Sequence, residues 1–564
     1  MSSPHFINVG HQLSRTAENM PHGIAIAVPQ GRKANGRRKY LTCTFRELDE
    51  DSNRLANGLR GMGVQEGMRL VLMVRPGIEF ISLTFALFKV GAVVVLIDPG
   101  MGRRHLLDCI EQVNPDGFLG LSIVQAARVL LRRRFPNARF NVTVGRRWFW
   151  GGPTVDQFRA DSPATPLPLQ SSADTPAAII FTTGSTGPPK GVGYRHGNFQ
   201  AQVDQLRDTY DIQPGEIDLP GFPLFALFNC AMGVTTVIPD MDPTRPAQVN
   251  PKNIIEAVED WQVTQAFGSP ALWNVVAQYG KRHEIRLPTL KRVLSAGAPV
   301  PPRVLRGVTD MIASDGEMFT PYGATEALPV ASIGAAEILD DTAAKTRDGG
   351  GTCVGRRFSG IDWKVIRISD DPIKQLEDVI EMPPGEIGEL IVTGAVVTDA
   401  YVTRTEANAA GKIAVGDRVW HRMGDVGYLD THQRFWFCGR KAHRVRSPAG
   451  TLYTVPCEAI FNEHPSVFRS ALVGLGSPGE QLPVLIVELD HAREEISDER
   501  EQLINELGNL AAKHSHTEGI RHFLVHPDFP VDIRHNSKIF REKLAKWAVE
   551  QTLYETARSS KCVC

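Results

Sequence analysis

From about residue 40 to 240, stretches with helical spacing alternate with short β-branched apolar runs, as in FRELDEDSNRLANGLRGMG (45–63) followed by RLVLMV (69–74) and AVVVLI (92–97). A chain that switches between these two periods predicts strand–helix units, with mostly parallel buried strands and helices packed on their faces. The pattern resumes in VTQAFGSP (263–270) and LKRVLSAGAPV (290–300). Each is an apolar strand ending in a small-residue turn, where ligands of such sheets usually sit.

The chain has 564 residues, more than one ordinary core serves, so at least two domains are expected. From about 352 to 438 the texture changes to short strands, WKVIRI, GEIGELIVTG and QRFWFCGR, separated by Gly and Pro turns, which predicts a small β-rich subdomain. Residues 439–564 carry strand and helix signals of their own, including DEREQLINELGNLAAKH and FREKLAKWAVEQTL. The expected fold is therefore α/β: a large N-terminal domain over 1–438 and a smaller, mobile α+β lid over 439–564. The Pro/Asp/Gly-rich segment 369–386 predicts a flexible surface loop.

Sixty-two basic and 63 acidic side chains leave a net charge of −1, so no global field draws nucleic acid or a membrane to this chain. One local basic cluster, Arg128, Arg132, Arg133, Arg134, Arg139, Arg146 and Arg147, lies beside Trp148, Phe149 and Trp150. Such a cluster is ordinarily a solvated face, and otherwise a dock for an anion or a partner protein. The eight cysteines show no CxxC pair and no nearby metal-ligand histidines, which predicts reduced thiols. The N-terminus lacks the segments of a signal peptide, and apolar runs such as GAVVVLI are too short to span a bilayer, so a cytoplasmic chain is expected.

The chemistry concentrates in FTTGSTGPPKG (181–191), which follows the apolar run AAII. Gly184 and Gly187 let backbone N–H groups approach phosphate oxygens, Thr182, Thr183, Ser185 and Thr186 add hydroxyl donors, and Lys190 adds a point charge. The spacing does not match GxxxxGK[ST], so transfer of a terminal phosphate is not implied.

This loop resembles that of the adenylate-forming superfamily, which includes acyl-CoA synthetases, luciferases and peptide-synthetase adenylation domains. There it holds the β- and γ-phosphates of ATP, which leave as pyrophosphate. The superfamily's other motifs follow in order. SAGAPV (295–300) resembles the adenine-pocket strand, which implies that Gly297, Ala298 and Pro299 line the base. YGATE (322–326) implies that Tyr322 stacks on adenine, Thr325 bonds the α-phosphate and Glu326 ligates Mg2+. RMGD (422–425) implies Asp425 as acceptor for the ribose hydroxyls, with Arg440 supporting it. PVDIRHNSKIF (530–540) resembles the C-terminal segment that carries a mobile catalytic lysine, here Lys538, with Ser537 in place of the usual glycine. LFKVGAVVVLIDP (87–99) resembles the upstream landmark.

Two positions depart from the pattern of acyl-CoA synthetases. In GFPLFALF (221–228) the usual histidine after PLF is Ala226, and the usual acidic hinge residue after GR is Ala442. The stretch 221–251 resembles the β-lactone synthetases of bacterial long-chain olefin biosynthesis. That resemblance implies adenylation of a long-chain 2-alkyl-3-hydroxyalkanoic acid, followed by attack of its own 3-hydroxyl to close a β-lactone. The alternative is a long-chain acyl-CoA synthetase; a nucleotide sensor with dead chemistry would lack reason to retain Glu326, Asp425 and Lys538. Phe222, Phe225, Ala226 and Phe228 are read as the acyl pocket, with core packing the equal alternative for the aromatic residues. No residue is assigned as base for the 3-hydroxyl. Assembly with other olefin-biosynthesis enzymes through 128–150 is the partner expectation.

Overall fold

The computed structural model describes residues 7–168, 171–182, 188–490, 497–532 and 538–561. Two parallel-rich sheets form its larger part. The first runs in the spatial order Phe140–Val144, Gly117–Leu121, Arg69–Met73, Val93–Leu96, Pro176–Phe181, Gly191–Arg195, parallel up to its final antiparallel pair. The second has seven strands, from Glu317–Phe319 through Arg292–Ser295, Gln265–Gly268, Ile217–Pro220 and Thr235–Val237 to Ile24–Arg32 and Arg38–Thr44, of which only the last pair is antiparallel.

Local chemistry sets these elements. Helix Phe45–Gly61 starts at a capping box in which the Thr44 hydroxyl accepts from the Glu47 N–H and the Glu47 carboxylate accepts from the Thr44 N–H. Its Phe45, Leu48, Leu55 and Leu59 are buried in the core shared with helix Ile78–Val90, which is apolar almost all round and correspondingly enclosed.

An antiparallel sheet follows, built from strands between Thr352 and Arg440. The segment expected to be a free loop is tied down at its start: Arg422 donates to the carbonyls of Ser369 and Asp371, and Asp370 pairs with Arg444 and Arg446. The cause is a buried cation that needs acceptors, which sequence spacing does not show.

From Val445 onward the chain has its own cores. One gathers Val445, Phe461, Leu472, Leu485 and Leu507; another gathers Ile486, Leu524 and Leu544 beneath helix Arg541–Lys561. The fold is thus α/β with an antiparallel β portion and an α+β C-terminal part. Among the described residues, no helix is long and apolar enough to cross a membrane. The six described cysteines are buried and free.

Candidate active site

A cavity of about 2260 Å³ opens where strands Pro176–Phe181, Gln265–Gly268 and Arg292–Ser295 end, at the carboxyl edge of both parallel-rich sheets. This is where α/β sheets bind ligands, because successive loops diverge there and leave space. Thr182, Lys190, Gly297, Ala298, Pro299, Tyr322, Thr325, Glu326, Asp425, Arg440 and Lys538 all line it.

The Gly/Thr/Ser loop is closed at its base by the antiparallel pair it joins. The Thr182 N–H donates to the Lys190 carbonyl at 3.0 Å, and the Lys190 N–H donates to the Thr182 hydroxyl at 3.1 Å. Thr183, Gly184, Ser185, Thr186 and Gly187 lie outside the described residues. Gly191 packs where a Cβ would meet the Thr403 hydroxyl oxygen at 3.0 Å, and its N–H donates to that oxygen.

Gly297 has φ +96°, a left-handed conformation in which a side chain is strained, so the turn after Arg292–Ser295 requires glycine. Across the cavity, Tyr322 sits against Phe435 and Phe437, with ring centroids at 6.1 and 6.5 Å. Its hydroxyl donates to Asp425. Asp425 and Arg440 are directly opposite in the register of two antiparallel strands, and Arg440 Nη1 stands 2.8 Å from Asp425 Oδ1. Burial pushes the Asp425 carboxyl up and Arg440 opposes that shift; burial and then Asp425 drive the Tyr322 hydroxyl far above its ordinary range.

Glu326 is 9% exposed, and its Oε1 accepts from the Tyr401 hydroxyl at 2.6 Å. Lys190 Nζ lies 4.3 Å from the centre of the Tyr401 ring. Lys412 donates to the Thr398 carbonyl, and burial lowers its ammonium to about 8, with Glu326 the largest opposing influence. The Thr325 carbonyl accepts from the Tyr194 hydroxyl at 2.5 Å, so both ends of the Thr325–Glu326 step are held by tyrosines. Tyr194, Tyr401 and Lys412 carry no motif signal and escape sequence reasoning.

Lys538 reaches the cavity beside a short backbone clasp. Its N–H donates to Asp532 Oδ1 at 3.1 Å and its carbonyl accepts from the Asp532 N–H at 3.0 Å. Ser537 lies outside the described residues.

Phe222, Phe225 and Phe228 line the cavity and also back onto the core, Phe225 stacking on Phe267 at 3.8 Å. These residues therefore face the cavity and pack in the core at once. Ala226 opens helix Ala226–Met232, is 1% exposed and packs in the core with Cys230. The wall continues past Val28, Val74, Leu121 and Val124, all apolar. Ala442 sits in the short turn Lys441–His443, where the neighbouring Lys441 ammonium contacts both carboxylate oxygens of Glu389 at 3.0 Å.

Residues 13–402 match the family model described as AMP-binding enzyme. The chain is 48% identical over 551 residues to an olefin β-lactone synthetase of Xanthomonas campestris pv. campestris, covering 96% of this chain and 98% of that one. It is 47% identical over 549 residues to the olefin β-lactone synthetase of Stenotrophomonas maltophilia, with the same coverage. Its fold matches that of the O-succinylbenzoate coenzyme A synthetase of Bacillus subtilis, solved with ATP and a magnesium ion, at a TM-score of 0.72 and 20% identity over 95% of this chain and 99% of that one.

Proposed function

We propose that this chain, which belongs to the AMP-binding enzyme family and is an AMP-forming ligase, adenylates a long-chain 2-alkyl-3-hydroxyalkanoic acid and closes it to a β-lactone. The observation that carries this reading is the near-full-length likeness to two olefin β-lactone synthetases. The cavity supports it, because one continuous wall holds the nucleotide-type polar residues and an apolar surface able to take alkyl chains.

In the first step a carboxylate oxygen attacks the α-phosphorus of ATP, and the bond to pyrophosphate breaks. Lys190 and the loop from Thr182 hold the leaving phosphates, Tyr322 stacks on adenine between the Gly297 turn and the strand bearing Asp425, and Asp425 with Arg440 takes the ribose hydroxyls. Thr325 bonds the α-phosphate. Lys538 offsets the repulsion between carboxylate and phosphate, about 4 kcal/mol for unit charges ~4 Å apart at an effective dielectric near 20. In the second step the 3-hydroxyl oxygen attacks the activated carbonyl, the bond to AMP breaks, and the proton leaves to AMP or water. Nucleophile and carbonyl share one molecule, so effective molarities of ~10⁵ M or more are available against ring strain.

Magnesium fits Glu326. The ion usually takes one or two carboxylates and draws its remaining oxygens from substrate phosphates and water. Among the described residues no group of three or more His, Cys, Asp or Glu is gathered to hold a metal, which leaves that division of ligands in place. Bound there, the ion would neutralise phosphate charge. The segment 439–564 serves as the lid that presents Lys538, and the enzyme works in the cytoplasm.

Tyr401→Phe removes the hydrogen bond that orients Glu326, and kcat should fall about tenfold, as expected for a hydrogen bond to a charged group. Unchanged turnover in that variant would reduce Tyr401 to packing.

The reading as a whole is tested by incubating the protein with Mg-ATP and a synthetic 2-alkyl-3-hydroxy acid, with and without coenzyme A, and identifying the product by NMR without heating. A β-lactone and AMP formed without coenzyme A are the expected products. A thioester formed only when coenzyme A is present overturns the lactone step.

A further inference from the structure

The helix Ser122–Leu130 turns an apolar stripe toward solvent. Its Gln125 is fully buried, its amide donating to the carbonyls of Phe118 and Val142 at 3.1 and 2.9 Å while its carbonyl oxygen accepts from Arg128 Nε. Val124 packs inward, but three other apolar residues face the other way: Ile123 and Leu130 are 72% and 84% exposed, and with the exposed Ala127 they form one stripe at helical spacing. A surface helix normally has the opposite arrangement.

A second apolar feature adjoins this stripe. The Ser122 hydroxyl donates to the Arg146 carbonyl, which brings the exposed turn 145–149 alongside the start of the helix. That turn presents Trp148 and Phe149, 54% and 82% exposed, while buried Trp150 anchors it through an Nε1–H bond to the Thr143 hydroxyl at 3.0 Å.

The charge along this stretch of the chain has one sign. Between Asp116 and Asp156 the chain contains seven arginines and no Asp or Glu. Arg134 is engaged by Asp108 and Glu111, and Arg128 by Gln125. Arg132, Arg133, Arg139, Arg146 and Arg147 are exposed. Exposed aliphatic and aromatic side chains among cations are the composition that seats in the headgroup layer of an anionic bilayer.

We propose that this face docks the protein on an anionic phospholipid bilayer. Trp148, Phe149, Ile123 and Leu130 enter the boundary between headgroups and acyl chains, and the exposed arginines meet the lipid phosphates. The occupant is argued from charge complementarity and from position, since Leu121 and Val124, at the same helix, line the cavity. The last link, delivery of substrate from the bilayer into that cavity, rests on the long-chain acid reading above; the docking itself does not.

The full chain is floated with vesicles of phosphatidylcholine alone or with phosphatidylglycerol, at low and at physiological salt. Binding to the anionic vesicles should exceed binding to the neutral ones about tenfold or more and weaken with salt. Trp148→Ser/Phe149→Ser and Arg132→Glu/Arg133→Glu variants should each lose about tenfold or more of that binding. Both should keep the circular dichroism of the parent and its AMP formation on detergent-dispersed acid. A parent chain that ignores anionic vesicles, or variants that bind them as the parent does, overturns the proposal. So does retention of the parent, and not the variants, on another pathway enzyme without vesicle binding, which would make the face a protein interface. Because flotation needs no turnover, its failure is distinct from failure of the lactone reading.

Discussion

Replacing Lys538 with alanine is expected to slow adenylation about 10²–10³-fold, the loss typical of removing one donor that meets charge developing in the transition state. ATP binding should change little, because the ammonium is proposed to act on the meeting of carboxylate and α-phosphate rather than on the base or ribose. The two effects separate in single-turnover kinetics, with pyrophosphate release as the readout for chemistry and equilibrium titration of ATP as the readout for binding. Lys538 lines the same cavity as Glu326 and Asp425, although it lies far from both in the chain. A variant that loses ATP affinity in proportion to rate would show that Lys538 binds nucleotide uniformly. One that retains full adenylation would remove it from the mechanism.

Glu389→Ala should give the largest loss of stability, about 3–5 kcal/mol. Glu389 is fully buried, and it accepts from Arg422 Nη2 at 2.6 Å and from Lys441 Nζ at 3.0 Å. Arg422 is itself buried, so truncating the carboxylate leaves a cation in the interior with only backbone carbonyls to hold it. Burial already lowers the Lys441 ammonium, and Glu389 is the largest influence opposing that shift. Without Glu389 the folded-state value falls further below the unfolded one, so the unfolded chain binds more protons and stability rises with pH. The deficit of the variant should therefore shrink between neutral and alkaline pH. Chemical denaturation at pH 7 and pH 9 measures both effects, and equal midpoints for parent and variant at pH 7 would show that the cluster contributes little.

Local pattern and motif order made much of the molecule legible. The alternation of helical and β-branched segments foretold the parallel-rich sheets, and the Gly and Pro turns after 352 foretold a β-rich portion, whose strands pair antiparallel. Ordered motifs pointed to eleven of the residues that line the cavity, because a Gly/Thr/Ser loop, a tight glycine turn and an acidic strand position each leave a short-range trace. Those traces persist because they depend on backbone conformation, which a few adjacent residues set.

What the sequence left open are pairings between distant residues. Tyr401 lies 75 positions from Glu326, and Tyr322 lies 103 from Asp425, yet each pair shares a hydrogen bond. Nothing in GEIGELIVTG marks Glu389 as a buried anion between Arg422 and Lys441, since alternation along a strand gives the face and not its partner. Ala226 shows the same limit, because its place beside PLF suggested a pocket wall while the packing of its helix sends it into the core. Exposure of Ile123 and Leu130 was equally invisible, because a helix turned outward has the same spacing as one turned inward. The sequence by itself determined the elements, their order and the places of the motifs along the chain. Tertiary structure decided which side chains meet and which face water, because burial and pairing are properties of the assembled chain and not of any segment of it.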